Sequence, residues 1–163
     1  MKTLVLIRHG KSSWEYDVSD RERPLKNRGI NDIALVSKAF KAIDFNLDFV
    51  YSSPANRALN TCKLFMTHLG IKEEKLLIVE DLYDFGGQSV INFIKSLDDN
   101  YKNIIIFGHN HAFTSISNIF GDKFIDNLPT SGLVMIEFEI DNWKSLQQGK
   151  TKLTIFPKQF KND

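Results

Sequence analysis

The 163-residue chain has one cysteine, four prolines and nine glycines, and its 21 lysines and arginines nearly cancel 20 aspartates and glutamates. A lone Cys62 cannot close an internal disulfide, so no covalent staple is available. Scattered prolines and glycines exclude a flexible linker or low-complexity tract, and no internal repeat is present. A formal net charge of +1 removes any global electrostatic case for nucleic acid or an anionic membrane. Any anion site must therefore be a local concentration of cations. No apolar run approaches the roughly 18 residues of a membrane span, and Met1-Lys2-Thr3 enters an apolar strand without a signal-peptide core. The expectation is a cytoplasmic protein with one domain over residues 1–163, large enough to bury a core unaided, with neither nucleic acid nor membrane as partner.

What is present alternates between two periods. Residues 2–8, containing Leu4-Val5-Leu6-Ile7, read as a first strand. Ile30, Ile33, Ala34, Ser37 and Phe40 share one face of a helix reaching about Ile43. Phe49-Val50-Tyr51 gives a second strand, ending in Ser52-Ser53-Pro54. Ala55, Ala58, Leu59, Cys62, Phe65, Met66 and Leu69 form a helical stripe that Gly70 stops. Leu76 to Val79 predicts a third strand, and residues 88–98 a third helix. Asn103 to Phe107 is a fourth strand whose Ile-Ile-Ile-Phe run demands burial on both faces, followed by a helix over 112–120. Leu133 to Ile140 and Lys152 to Phe156 read as closing strands. The alternation predicts an α/β fold: three layers, α/β/α, around a mostly parallel sheet with right-handed crossovers and room for an antiparallel edge strand.

Chemistry gathers at the strand ends. Arg8 and His9 follow the first strand, Arg57 the second, and His109, in Gly108-His109-Asn110, the fourth. In a parallel sheet these ends share one edge, which is where open α/β sheets bind ligands. Ser53-Pro54 reads as an N-cap with Pro at the first helical position, which places Arg57 in the first turn and away from the apolar stripe. His109 leads into a helix N-terminus, whose free N–H groups favour an anion. Guanidiniums around an imidazole bind a phosphoryl group with planar, bidentate donors. They also lower the imidazole pKa, leaving a neutral His9 as nucleophile near pH 7. Charge spread over phosphoryl oxygens in the transition state would be held by Arg8, Arg23, Arg57 and His109 without a metal or other cofactor.

In this order, Arg8-His9-Gly10-Lys11-Ser12-Ser13-Trp14, Ser19-Asp20 with Arg23-Pro24-Leu25 and Arg28-Gly29, Ser52-Ser53-Pro54-Ala55-Asn56-Arg57-Ala58 with Thr61, Gly108-His109-Asn110 and Leu128-Pro129-Thr130-Ser131-Gly132 resemble the histidine phosphatase superfamily. Within it they are most similar to the small SixA-type phosphohistidine phosphatases, and the match runs nearly the whole chain. The resemblance implies a phosphoglycerate-mutase-like fold, with His9 as the phosphorylated nucleophile, Arg8 and Arg57 as phosphate ligands, His109 as the second catalytic histidine and Arg23 as an extra phosphate contact. It implies a phosphatase acting on phosphohistidine of a partner protein, or on a small phosphorylated molecule, with inorganic phosphate as product. The larger mutases share H-G-x-S-x-W but carry long insertions over the site that this chain lacks. His111 stands where the SixA-type pattern has Pro, either as a rim bystander or as an influence on substrate choice.

Other readings compete at several positions. Arg23 lies in the charge run Asp20-Arg21-Glu22-Arg23, and such runs are ordinarily solvated surface. His109-x-His111 has a metal-ligand spacing, but a zinc or other divalent site would want more His, Cys or carboxylate partners, and Asp84 is the only nearby candidate in register with an element end. Cys62 falls on the apolar stripe and reads as core. Trp14 and Tyr83 serve equally as loop packing or as substrate walls. Asp84, in Leu82-Tyr83-Asp84, is a candidate general acid by analogy with the wider superfamily, or a residue of a flexible Phe85-Gly86-Gly87 loop. A phosphatase for small esters, a residual mutase, a non-catalytic phospho-partner module and a metallohydrolase are the alternatives in function.

Overall fold

The computed structural model describes residues 1–161. Among them, six strands form a single sheet: β1 (Lys2–Arg8), β2 (Phe49–Ser52), β3 (Leu76–Ile78), β4 (Asn103–Gly108), β5 (Leu133–Phe138) and β6 (Lys150–Ile155). Four helices connect them: α1 (Asn27–Lys41), α2 (Asn56–Leu69), α3 (Gln88–Lys95) and α4 (Ala112–Phe120). The strand order is β3-β2-β4-β1-β5-β6. The first four in that order run parallel, β5 runs antiparallel to β1, and β6, antiparallel to β5, returns to the direction of the first four. This is the expected mostly parallel sheet with an antiparallel edge.

The two-residue period of the central strands divides the interior. Leu4 and Leu6 of β1, with Ile104 and Ile106 of β4, pack against Val90 and Ile94 of α3 and Phe113 and Ile116 of α4. Val5, Ile7, Ile105 and Phe107 point to the other face and meet Ile33, Val36 and Phe40 of α1 and Cys62, Phe65 and Met66 of α2. Three layers follow directly from that alternation. Each such fully buried side chain contributes roughly 1.5–3 kcal/mol relative to exposure. Gly70 ends α2 in the left-handed conformation, φ 72°, with its N–H on the carbonyls of Met66 and Thr67.

One predicted face is wrong by a residue. Ile30 is 42% exposed, and the buried stripe of α1 is Gly29, Ile33, Val36 and Phe40. A backbone contact fixes this phase: a Cβ on Gly29 would stand 2.5 Å from the Lys11 carbonyl oxygen, and one on Gly10 3.0 Å from the Gly29 Cα. The first turn of α1 therefore lies flat on the loop after β1, and Ile30 is carried round to solvent. The third helix stops at Lys95 rather than at 98, because Asp98 turns the chain by accepting the Asn100 N–H. The last strand begins at Lys150, two residues before the predicted start, through a register shift between Met135 and Ile136.

Candidate active site

Arg8 is in register with Gly108, and Ser52 with Phe107, so the carboxyl ends of β1, β2 and β4 lie side by side. His9, Ser53 and His109 are the next residues on each. The His9 N–H donates to the Gly108 carbonyl and the Ser53 N–H to that of Phe107, extending the sheet by one step. Arg8, His9, Arg23 and Arg57, residues up to 49 positions apart in sequence, line one cavity of about 340 Å³, with Trp14 and Phe85 at its walls. A larger concavity of about 620 Å³ beside Met1, Glu137 and Lys152 has no histidine or arginine in its lining.

His9 is 9% exposed, and its Nδ1 lies 2.7 Å from the Gly10 carbonyl oxygen. A carbonyl can only accept, so Nδ1 carries the proton and Nε2 of the neutral ring keeps its lone pair. Burial is the main reason the ring resists a second proton. Arg57, Arg8 and Arg23 add to it against the opposing Gly10 hydrogen bond, and the pKa falls to about 3. Loss of water therefore outweighs the guanidiniums that the sequence places around the ring.

The arginines are held in different ways. Arg8 donates from Nη1 to the Leu128 carbonyl at 2.8 Å, while its buried Nε has no partner. Burial, then Arg57, lowers its pKa from the ordinary arginine value. Arg57 is 3% exposed and donates to the Asp20 carbonyl (2.6 Å) and carboxylate (2.9 Å). Arg23, far from being solvated, is 7% exposed. Its guanidinium donates to the Ser13 carbonyl and the Ser12 hydroxyl, and its central carbon sits 3.2 Å from the Trp14 ring centroid. Trp14 itself is 75% exposed at the rim.

His109 is fully buried, its ring 5.3 Å from that of His9 between centroids. Its Nε2 shares a 2.8 Å hydrogen bond with Ser53 Oγ, and its Nδ1 is buried without a partner. Burial, then His9 and Arg57, lowers its pKa to about 3. Ser53 is thus a brace for His109 and not the cap of α2: the helix starts two residues after Pro54, with Ala55 at the N-cap. Tyr83 and Phe85 pack on the His109 ring at 5.3 and 4.9 Å.

Asp84 departs from the general-acid reading. Its Oδ1 accepts the Gly86 N–H, and its Oδ2 those of Gly87 and Val90, so the carboxylate tethers the glycine turn and caps α3. Both carboxylate oxygens are thus engaged by its own turn and helix, and Asp84 is not among the residues that line the cavity of His9. His111 is the exposed N-cap residue of α4 while His109 is buried, and among the described residues no three His, Cys, Asp or Glu side chains are grouped to hold a metal ion. Cys62 is core, its pKa raised by burial.

Three residues stand in the sequence motifs with no role assigned to them there, and the structure supplies one for each. Thr61 Oγ1 accepts the Gly10 N–H at 2.9 Å and donates to the Arg57 carbonyl at 2.6 Å, tying the nucleophile loop to the helix of Arg57. Ser131, at φ 60°, donates its N–H to the carbonyls of both Arg8 and His9. Asp20 binds Arg23 and Arg57 together. The signal for Thr61 was its spacing of four from Arg57; that for Asp20 was masked by the alternating charges around it.

The fold is shared with solved structures of known proteins. The chain superposes on the protein histidine phosphatase SixA complexed with tungstate with a TM-score of 0.82 at 18% identity, covering 98% of this chain and 99% of that one. A mycobacterial glucosyl-3-phosphoglycerate phosphatase shares the fold more loosely, with a TM-score of 0.65 at 10% identity, covering 94% and 98%. In sequence, an uncharacterised protein of Mycobacterium tuberculosis is 26% identical over 160 residues, covering 92% of this chain and 98% of its own length. A 2,3-bisphosphoglycerate-dependent phosphoglycerate mutase of Chlamydia abortus is 33% identical over 84 residues, covering 50% and 36%. Among the described residues no helix is long and apolar enough to cross a membrane. A family model matches residues 4–86, about half of the chain and the part that holds Arg8, His9, Arg23 and Arg57: the protein belongs to the histidine phosphatase superfamily, branch 1.

Proposed function

We propose that the protein is a metal-independent phosphatase that works through phospho-His9, with phosphohistidine on a partner protein as its substrate. Family and fold together support a phosphatase. The observation that carries the finer reading is the state of His9: neutral, fixed by Gly10 at Nδ1, with Nε2 free beside Arg8, Arg23 and Arg57. Nε2 attacks phosphorus as the bond to the substrate imidazole breaks, and that imidazole leaves with a proton taken from solvent. Arg8, Arg57, Arg23 and His109 hold the phosphoryl oxygens while charge spreads over them. When the Ser53 hydroxyl donates to His109 Nε2, the Nδ1–H of His109 is left to do so. Water then attacks phospho-His9, releasing inorganic phosphate and restoring the neutral ring.

The assignment to phosphohistidine rests on the leaving group. Imidazole departs readily near neutral pH, whereas an alkoxide needs a proton in the transition state. With Asp84 bonded to three backbone N–H groups, no carboxylic acid is assigned to that task. The cavity is open, and the exposed Trp14 and Phe85 at its walls suit a side chain presented on a protein surface. Turnover of a phosphohistidine peptide against a panel of alkyl phosphomonoesters tests the reading. Preference for the peptide is expected. Efficient ester turnover with no phosphohistidine activity would overturn the substrate while leaving the His9 chemistry in place.

A further inference from the structure

The two guanidiniums deepest in the proposed phosphate clamp are already bound to an anion of the protein itself. Asp20 stands in a short turn (Asp20–Glu22) with its side chain 43% exposed, yet it bonds to two arginines that are buried. Its Oδ2 accepts from Arg57 Nη2 at 2.9 Å and from the Tyr83 hydroxyl at 2.5 Å. Its Oδ1 accepts from Arg23 Nη1 at 3.3 Å, and its carbonyl from Arg57 Nη1 at 2.6 Å. Asp20 lines the same cavity as His9. A carboxylate and a phosphoryl group make the same demand on a guanidinium, a pair of oxygens facing its N–H fork. The N–H groups that Arg57 and Arg23 give to the Asp20 carboxylate cannot be given at once to phosphate.

We propose that Asp20 is the resident counter-ion of the clamp, exchanged for phosphoryl oxygens on Arg57 and Arg23 when substrate binds, and that it thereby sets which anions the site admits. Its carboxylate stays charged throughout the working pH range. Burial works against that charge, but the hydrogen bonds from Tyr83 and Arg57 outweigh it and bring the pKa to about 2. A dianionic terminal phosphoryl group gains Coulomb energy by replacing one negative charge with two. A monoanion, such as a carboxylate or a phosphodiester, replaces like with like and gains nothing. Discrimination of this kind comes from an internal competitor rather than from extra contacts to the right ligand. The exposed segment before the turn, residues 14–19, leaves the displaced carboxylate a path to solvent.

The inference rests on the reading of Arg57 and Arg23 as phosphate ligands, and calorimetric titration with orthophosphate separates the two. Asp20→Asn keeps an acceptor for the arginines without the charge, and Asp20→Ala removes both. Phosphate should bind each variant roughly fivefold more tightly than wild type, the scale of a half-exposed ion pair released from competition. Acetate should compete with phosphate in Asp20→Ala and not in wild type. Unchanged or weaker phosphate binding in both variants, with native circular dichroism, would make Asp20 a strut that merely orders Arg57, and would overturn the proposal alone. Phosphate binding to none of the three proteins would remove the clamp as well.

Discussion

His9 is reactive because of what surrounds each of its nitrogens. Gly10 takes the Nδ1 proton, burial and arginines refuse a second one, and Nε2 is left as a base with no acid to meet. Brief reaction with a labelled phosphodonor should leave acid-labile, base-stable label on the protein, and His9→Ala should abolish it, since the remaining donors cannot replace the attacking atom. Label on Asp84 or Cys62 would contradict the mechanism. Arg57 is a geometric requirement as well as a charge. Arg57→Ala should cost about a hundredfold in rate, and Arg57→Lys should recover only part of it, because an ammonium lacks the fork. Asp84 belongs to another category. Asp84→Asn should lower stability by about 1 kcal/mol, the worth of a lost cap, and leave the ratio of ester to phosphohistidine turnover unchanged. A selective fall in ester turnover would restore Asp84 as the acid.

At the scale of elements, the site is a loop held between two helices. The chain after β1 lies on the first turn of α1 through Gly10 and Gly29, and is pinned to α2 by Thr61. Thr61→Val keeps the shape but leaves the buried Gly10 N–H unpaired, which should cost about 1–3 kcal/mol in urea unfolding and reduce kcat as His9 and Arg57 lose their common tether. Thr61→Ser should restore most of both. These ties explain what could be read beforehand. The apolar runs of β1 and β4, the stripe of α2 and the placement of Arg8, His9, Arg57 and His109 at strand ends are local signals, and each matches its place in the structure. Ile30 was misjudged because the phase of α1 is set by a backbone contact with a loop 19 residues away, which no periodicity reports. Ser53 was read as a cap because its partner, His109, is 56 residues distant. Arg23 looked like surface because its cover, Trp14 and the Ser12–Ser13 backbone, comes from outside its own charge run.

For the whole molecule, two neutral histidines buried next to three arginines make the site a cost in acid. In the unfolded chain each imidazole takes its proton near pH 6.5. In the folded protein both do so only near pH 3. Between these values the unfolded state binds protons that the native state refuses, so stability must fall as pH drops below about 6.5, and level off near 3. Above pH 7 neither state is protonated and the two histidines contribute no pH dependence. Asp20 acts in a lower window, since its depressed pKa stabilises the fold above about 4 and is lost only toward pH 2. The interval from pH 6.5 to 4.5 therefore isolates the histidine pair. Thermal unfolding of wild type should lose ground steadily across it, while a His9→Gln, His109→Gln double variant should give a visibly flatter curve. Parallel curves would mean that the two rings titrate normally in the folded protein. Orthophosphate at pH 7 supplies the complementary measurement: a ligand bound to the native state alone raises Tm in proportion to the logarithm of its excess over Kd. That rise should be present in wild type, larger in Asp20→Asn, and nearly absent in Arg57→Ala, which ties the stability of the fold to the anion its arginines are arranged to hold.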